Sequence, residues 1–126
     1  MVELLVVIAI IGLLAGMVVV SMQNIREKAR DAQRVSDINS IVAGLGMYHN
    51  DFNAYPIYDG YITGSDTLST ALKDSKSLNG IPTDPLNTDN SRYYYQSTDG
   101  EDYYLQYYLE TDSIHGKVKG LNYVVP

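Results

Sequence analysis

From Leu4 to Val20 every residue is apolar or glycine, and Met22 follows after Ser21 alone. No other feature constrains the fold as much. A helix rises about 1.5 Å per residue, and crossing a bilayer's hydrocarbon takes roughly 20 apolar residues. Met1–Met22 has that length, interrupted near its start by one acid, Glu3. A helix apolar on every side has to be covered on every side. In a chain of 126 residues the roughly one hundred that remain are too few to wrap it and still form a core of their own. A cleavable secretory signal would show a basic start, a shorter apolar run and a small-residue cleavage site. Here no basic residue precedes the run, which passes unbroken into Gln23-Asn24-Ile25-Arg26-Glu27-Lys28-Ala29-Arg30-Asp31, a helical sequence. The span is expected to be retained.

Glu3 is costly to desolvate at the edge of such a segment and calls for a partner. The nearest basic residue along the chain is Arg26, far beyond helical reach. The partner is therefore another chain, a chain terminus or the lipid interface. Gly12 and Gly16 are the only helix-weakening residues in the run. They mark either the place where the helix loosens or a close-packing point between helices.

The stretch Val2-Glu3-Leu4-Leu5-Val6-Val7-Ile8-Ala9-Ile10-Ile11-Gly12-Leu13-Leu14-Ala15 resembles the N-terminal segment of type IV pilins and type II secretion pseudopilins. The resemblance is long and specific over the first third of the chain and covers the rest in outline. It implies a leader peptidase that cuts after a glycine and methylates the new N-terminus. It also implies that Glu3 neutralises the N-terminal amine of a neighbouring subunit during assembly. Two departures stand out. The family's mature chain begins two residues further upstream, with Phe-Thr ahead of the position held by Met1. Many relatives also carry a proline near the end of the apolar run, whereas the first proline here is Pro56.

Residues 23–52 are expected to continue the helix in amphipathic form, with Val35, Ile38, Val42, Leu45 and Phe52 as its apolar stripe. A helix over 1–52 would be about 78 Å long, and its first half would project from any head. Arg26, Arg30 and Arg34 stand four apart, a basic line on one face. They read either as a solvated or headgroup-facing flank or as contacts to acids of neighbouring subunits. Counting these charges would place the flank in the cytoplasm; the family topology is the opposite and is preferred.

The helix should end near Asn53, ahead of Pro56. Residues 53–91 read as a connecting region of loops, holding one short helix capped by Ser65 or Asp66 and running to Lys76, and a turn at Pro82-Thr83-Asp84-Pro85. Residues 92–126 read as antiparallel strands. Tyr103, Leu105, Tyr107 and Leu109 alternate with Tyr104, Gln106, Tyr108 and Glu110, and Asp99-Gly100 makes a hairpin turn back to Arg92–Gln96. Leu121–Val125 offers a third strand. The fold class expected is α+β and pilin-like: a long N-terminal helix with a small antiparallel sheet laid on its second half.

Charge and composition exclude more than they assign. Fifteen acids against nine bases give a formal charge of −6, which speaks against a general nucleic-acid binder. There is no cysteine, so neither a disulfide frame nor a thiolate metal site can form. His49 and His115 lie far apart with no nucleophile motif or phosphate loop, so no catalytic role is expected. His49-Asn50-Asp51 reads as helix-end chemistry. Asp99, Glu101 and Asp102, and the second set Asp84, Asn87 and Asp89, are weak calcium candidates by oxygen donors alone. The plainer reading of Asp-Gly turns is ordinary hairpin chemistry, and no cofactor is expected. Twelve tyrosines accompany one Phe and no Trp, a choice suited to half-wet surfaces. Neighbouring tyrosines in a strand point to opposite faces, which favours adhesive or subunit-contact surfaces over an electron-transfer stack.

These readings converge on a structural subunit, not an enzyme, that polymerises through its N-terminal helix into a helical homopolymer. An extracellular type IV pilus is the leading expectation, with the inner membrane holding the unassembled subunit. The major pseudopilin of a type II secretion system, with calcium as an optional ligand, is the alternative, and a monomeric membrane-anchored binding protein the third. By resemblance, prepilin peptidase, an assembly ATPase and an inner-membrane platform would be partners.

Overall fold

The computed structural model describes residues 1–88 and 90–126, with every side chain among them except that of Val20. One helix, α1, runs over Val2–Phe52, 51 residues without interruption. It is α-helical throughout, with no proline and with Gly12 and Gly16 absorbed into its turns. It ends where Asn53 adopts the left-handed conformation (φ 53°), so that its N–H still reaches the His49 carbonyl at 2.7 Å.

The chain then forms β1 (Tyr58–Tyr61), α2 (Thr67–Asp74), β2 (Tyr94–Ser97), β3 (Tyr104–Leu109) and β4 (Gly120–Val124). The four strands form one antiparallel sheet in the order β1-β2-β3-β4. Strand β1 lies inside the stretch that the sequence reads as loops. Its four residues, Tyr-Asp-Gly-Tyr, carry no apolar alternation, and pairing with β2 is what makes them a strand. Helix α2 is capped by Asp66, whose carboxylate accepts from Ser69 N (2.9 Å) and Ser69 Oγ (2.7 Å). It stops at Asp74, two residues short of Lys76, which itself takes a positive φ.

The core lies between α1 and the inner face of the sheet. Ile38, Ile41 and Leu45 of α1 meet Tyr95, Leu105, Tyr107 and Leu109 of the sheet, with Leu68 and Leu72 of α2 closing one side. Val35 and Val42 are only partly buried, and Phe52 is 56% exposed, so the stripe is rotated from the expected one. Continued toward the N-terminus at alternating spacings of three and four, that stripe runs into Arg34 and Asp31, both fully buried. Gly44 admits Leu78 closely: a Cβ there would sit 3.3 Å from Leu78 Cδ1.

Tyrosines divide between the two faces. Tyr93 and Tyr95 point inward, where their hydroxyls donate to Asp37 (2.9 Å) and to the Pro56 carbonyl (2.9 Å). Tyr61, Tyr94, Tyr104 and Tyr123 stand on the outer face. There Tyr61 and Tyr94 meet edge to face at 5.5 Å, and Tyr104 stacks on Tyr123 at 5.5 Å.

Candidate assembly surface

Among the described residues, the first half of α1 packs against nothing else in the subunit. Every side chain described from Val2 to Ile25 is exposed, with Leu4 at 67%, Leu13 at 64% and Val19 at 63%. The helix is long and apolar enough to cross a membrane. Head contacts begin only at Glu27 and Arg30, because the sheet and α2 cover only the part of the helix beyond them. Glu3 stands exposed in the first helical turn, beside the unpaired N–H groups and their positive partial charge. It has no ion-pair partner among the described residues, so any partner comes from outside the subunit. Gly12 and Gly16 have no atom within 4 Å of a would-be Cβ, leaving both positions open to a neighbouring helix.

The basic line divides. Arg26 is exposed and makes no ion pair among the described residues. Arg30 and Arg34, read from the sequence as either a solvated or headgroup-facing flank or contacts to neighbours, instead turn into their own head. Arg34 is fully buried. Its Nε donates to Asp84 Oδ2 (2.6 Å), and its Nη1 reaches Asp31 Oδ1 (3.0 Å) and Glu110 Oε1 (2.6 Å). Arg30 grips the same Glu110 with Nε (2.7 Å to Oε1) and with Nη2 to Oε2. Asp31 completes the node by accepting from Glu110 N (2.9 Å), Thr111 N (2.8 Å) and Thr111 Oγ1 (2.8 Å). Asp84 accepts from Leu86 N (2.8 Å) and Asn87 N (3.1 Å) while holding Arg34. A buried charge is tolerated only when paired and hydrogen-bonded. Here no buried side-chain polar atom is left without a partner among the described residues.

The electrostatics follow the geometry. Bonds from Arg30, then from Arg34, hold the Glu110 carboxyl down at about 2 against the opposing effect of burial. Burial works against the Arg34 guanidinium, yet its bonds to Asp84, Glu110 and Asp31 keep it above its ordinary value. Burial raises Asp37, only partly offset by the Tyr93 hydroxyl it accepts from.

The network ties helix, Pro82–Pro85 turn and the end of β3 at one point, just above the bare half of α1. The sequence reading missed Asp31 and Glu110, and took Asp84 for a weak calcium candidate where it holds Arg34 instead. The stripe itself could have found Asp31, since Asp31 and Arg34 hold the next two core positions ahead of Ile38.

Among the described residues no group of three His, Cys, Asp or Glu could hold a metal ion. Asp99 Oδ1 caps its own turn by accepting from Glu101 N (3.0 Å), and Glu101 and Asp102 are exposed. Of the second set, Asp84 is committed to Arg34, and Asp89 lies outside the described residues. The His49 ring packs at 4.6 Å against Tyr55 at the end of α1.

Comparison with known proteins gives one consistent result. The chain is 30% identical over 121 residues to the type II secretion system core protein G of Dickeya chrysanthemi, covering 96% of this chain and 72% of that protein. It is 34% identical over 93 residues to the core protein G of Pectobacterium carotovorum, covering 69% of this chain and 60% of that one. Against the Aeromonas hydrophila protein the figures are 34% over 89 residues, 66% and 62%. The chain thus spans about three fifths of the length of the latter two. No family model matches, and no solved structure matches.

Proposed function

The chain belongs to the family of the type II secretion system core protein G, and from that premise we propose that it is the repeating structural subunit of a secretion pseudopilus. The subunit waits in the inner membrane, held by the first half of α1, and assembles by transferring that half from lipid to the packed centre of a helical polymer. The observation that carries this is the bare apolar half-helix below a head in which no described buried side-chain polar atom lacks a partner. A soluble monomer would expose that half-helix to water. Head-to-tail contacts that do not close on themselves give an open helical polymer.

The relatives favour a pseudopilus over the extracellular type IV pilus. We assign the role no catalysis and no cofactor. Glu3 is the register residue, and Gly12 and Gly16 are the close-approach points of α1. A peptidase, an assembly ATPase and a membrane platform are the partners such a subunit requires.

The test is expression in a strain whose type II secretion apparatus lacks its own core protein G. Sheared surface and periplasmic fractions are then imaged by electron microscopy and the subunit is identified by mass. Filaments containing this chain are expected, and Glu3→Ala should leave the chain membrane-inserted while cutting their yield at least tenfold. Monomer confined to the membrane fraction would sink the proposal.

A further inference from the structure

The outer face of the sheet carries a cleft that the head itself does not fill. Strand register sets Tyr61, Tyr94, Gln106 and Tyr123 opposite one another, one per strand. At about 4.8 Å between strands they form a row ~14 Å long. Core side chains take the alternate positions, so this row faces away from α1. Beside it, the loop ahead of β2 borders a cleft of about 490 Å³, within the range usual for small-molecule sites. Tyr61, Tyr108 and Leu121 give the cleft its apolar lining, and Gln106, Asn90 and Arg92 its polar groups.

The aromatic part of this lining is held in place by its neighbours. The Tyr61 ring meets Tyr94 edge to face, and the Arg92 guanidinium lies 5.8 Å from the Tyr61 centroid. The Tyr94 hydroxyl donates to Asp59, which also accepts from Gln96 Nε2 at 3.0 Å. Arg92 Nε donates to the Asn87 carbonyl at 3.4 Å. Groups already fixed lose little freedom when a ligand arrives.

The chemistry of the lining narrows the ligand. No acid is among the described lining residues, so the donor set does not suit a divalent cation. One arginine in a chain of formal charge −6 is too little for a nucleic-acid backbone. A protein partner would need about 800 Å² of surface with an apolar centre, and Asp59, Gln96 and Gln106 break this face into small apolar pieces. A pyranose meets each condition. Its C–H faces lie on aromatic rings, and its hydroxyls both donate and accept, as side-chain amides do. Tyrosine offers the ring and the hydroxyl together.

Building on the subunit role proposed above, we propose that this cleft binds a pyranose unit of a neutral glycan. Tyr61 and Tyr108 pack on the ring, and Gln106, Asn90 and Arg92 bond its hydroxyls. Because the sheet stands between this face and α1, assembly through α1 leaves the cleft on the outside of the polymer. Each copy then repeats the site, so a polysaccharide engages many sites at once.

The test titrates the full chain with cellohexaose, chitohexaose and mannohexaose by isothermal calorimetry, in lauryldimethylamine oxide micelles, which carry no sugar headgroup. At least one sugar should bind with a dissociation constant on the order of 1 mM or tighter. Tyr61→Leu and Gln106→Ala should each weaken that binding at least tenfold. Both replaced side chains lie on the outer face, so the melting temperature should not fall. Tyr104→Ala, on the same face but outside the cleft, should change the binding less than twofold. Binding of no sugar, binding only of reduced and carboxymethylated α-lactalbumin as an unfolded polypeptide, or undiminished binding by both cleft variants overturns the proposal. Filaments should also co-sediment with the matching insoluble polysaccharide at least tenfold more than the micellar chain at equal subunit concentration; equal retention overturns the outward presentation. The titration needs no assembly, so its failure refutes the cleft alone, whereas absence of filaments from the unaltered chain refutes the subunit role.

Discussion

Replacing Arg34 by methionine keeps most of the side chain's volume and removes the guanidinium that three carboxylates share. Asp31 and Asp84 lie in the fully buried node and Glu110 is 17% exposed, so none of the three can recover full hydration in place. Removing one partner of a buried ion pair costs about 3–5 kcal/mol, mostly as the penalty on the charge left behind. Here the orphans keep some donors: Asp31 retains Glu110 N, Thr111 N and Thr111 Oγ1, Asp84 retains Leu86 N and Asn87 N, and Glu110 retains Arg30. The lower part of the range applies, ~3 kcal/mol. In a domain of roughly 100 residues each kcal/mol moves the melting temperature by about 4 °C or a little more, so Arg34→Met should lower it by ~12 °C or more. The readout is the near-ultraviolet circular dichroism of the buried tyrosines during thermal unfolding of the full chain in detergent micelles. Asp84→Asn in the Arg34→Met background removes one orphan charge and should recover part of the loss. A fall below 5 °C, or strictly additive losses in the pair, would refute the reasoning.

Acid should weaken the head through Glu110. Its carboxyl lies at about 2 in the fold against an ordinary 4.5, so its contribution, at most ~3 kcal/mol, is complete above pH 4.5 and lost as pH falls toward 2. Urea midpoints between pH 2 and 6 should show this slope, and Glu110→Gln should flatten it. Gly100→Ala forces a side chain onto a φ of +81° with its Cβ 3.1 Å from the Tyr55 carbonyl, so about 1–3 kcal/mol should be lost. Gly116→Ala, at φ +74° in open space, should cost less, and chemical denaturation ranks the two. Asp37 is raised by burial and therefore destabilises the fold when ionised. Asp37→Asn, which can still accept from Tyr93, should melt no lower than the parent at pH 7. Millimolar calcium should leave the melting temperature unchanged; a rise of several degrees that Asp99→Asn abolishes would contradict the plain-turn reading of residues 99–102.

The parts of this fold legible in the sequence are those set by periodicity and composition alone. An unbroken apolar run of this length needs a cover on every side wherever it occurs, and the alternation from Tyr103 to Leu109 fixes which face of β3 points inward whatever it packs on. The illegible parts depend on partners distant in the chain. Arg26, Arg30 and Arg34 form the same line on a helical wheel, yet the first is exposed, the second half-buried and the third fully enclosed. What separates them is a turn 50 residues away and a strand end 76 residues away. Strand β1 was illegible for a similar reason, since Tyr58–Tyr61 is extended because β2 pairs with it. At the assembly surface the sequence shows Glu3, Gly12 and Gly16 as anomalies. Only the fold shows that Arg26 alone of the basic line is available to a neighbour.

The central claim is that the bare half of α1 is covered by other copies of the chain, and labelling tests it most directly. Leu13→Cys in the helix and Ser113→Cys in an exposed head loop are each introduced singly into the cysteine-free chain. Sheared filaments are treated with a membrane-impermeant maleimide. The account predicts rapid modification at position 113 and a rate at least a hundredfold lower at position 13 in intact filaments, rising once denaturant dissociates them. Equal labelling of the two positions in intact filaments would contradict it.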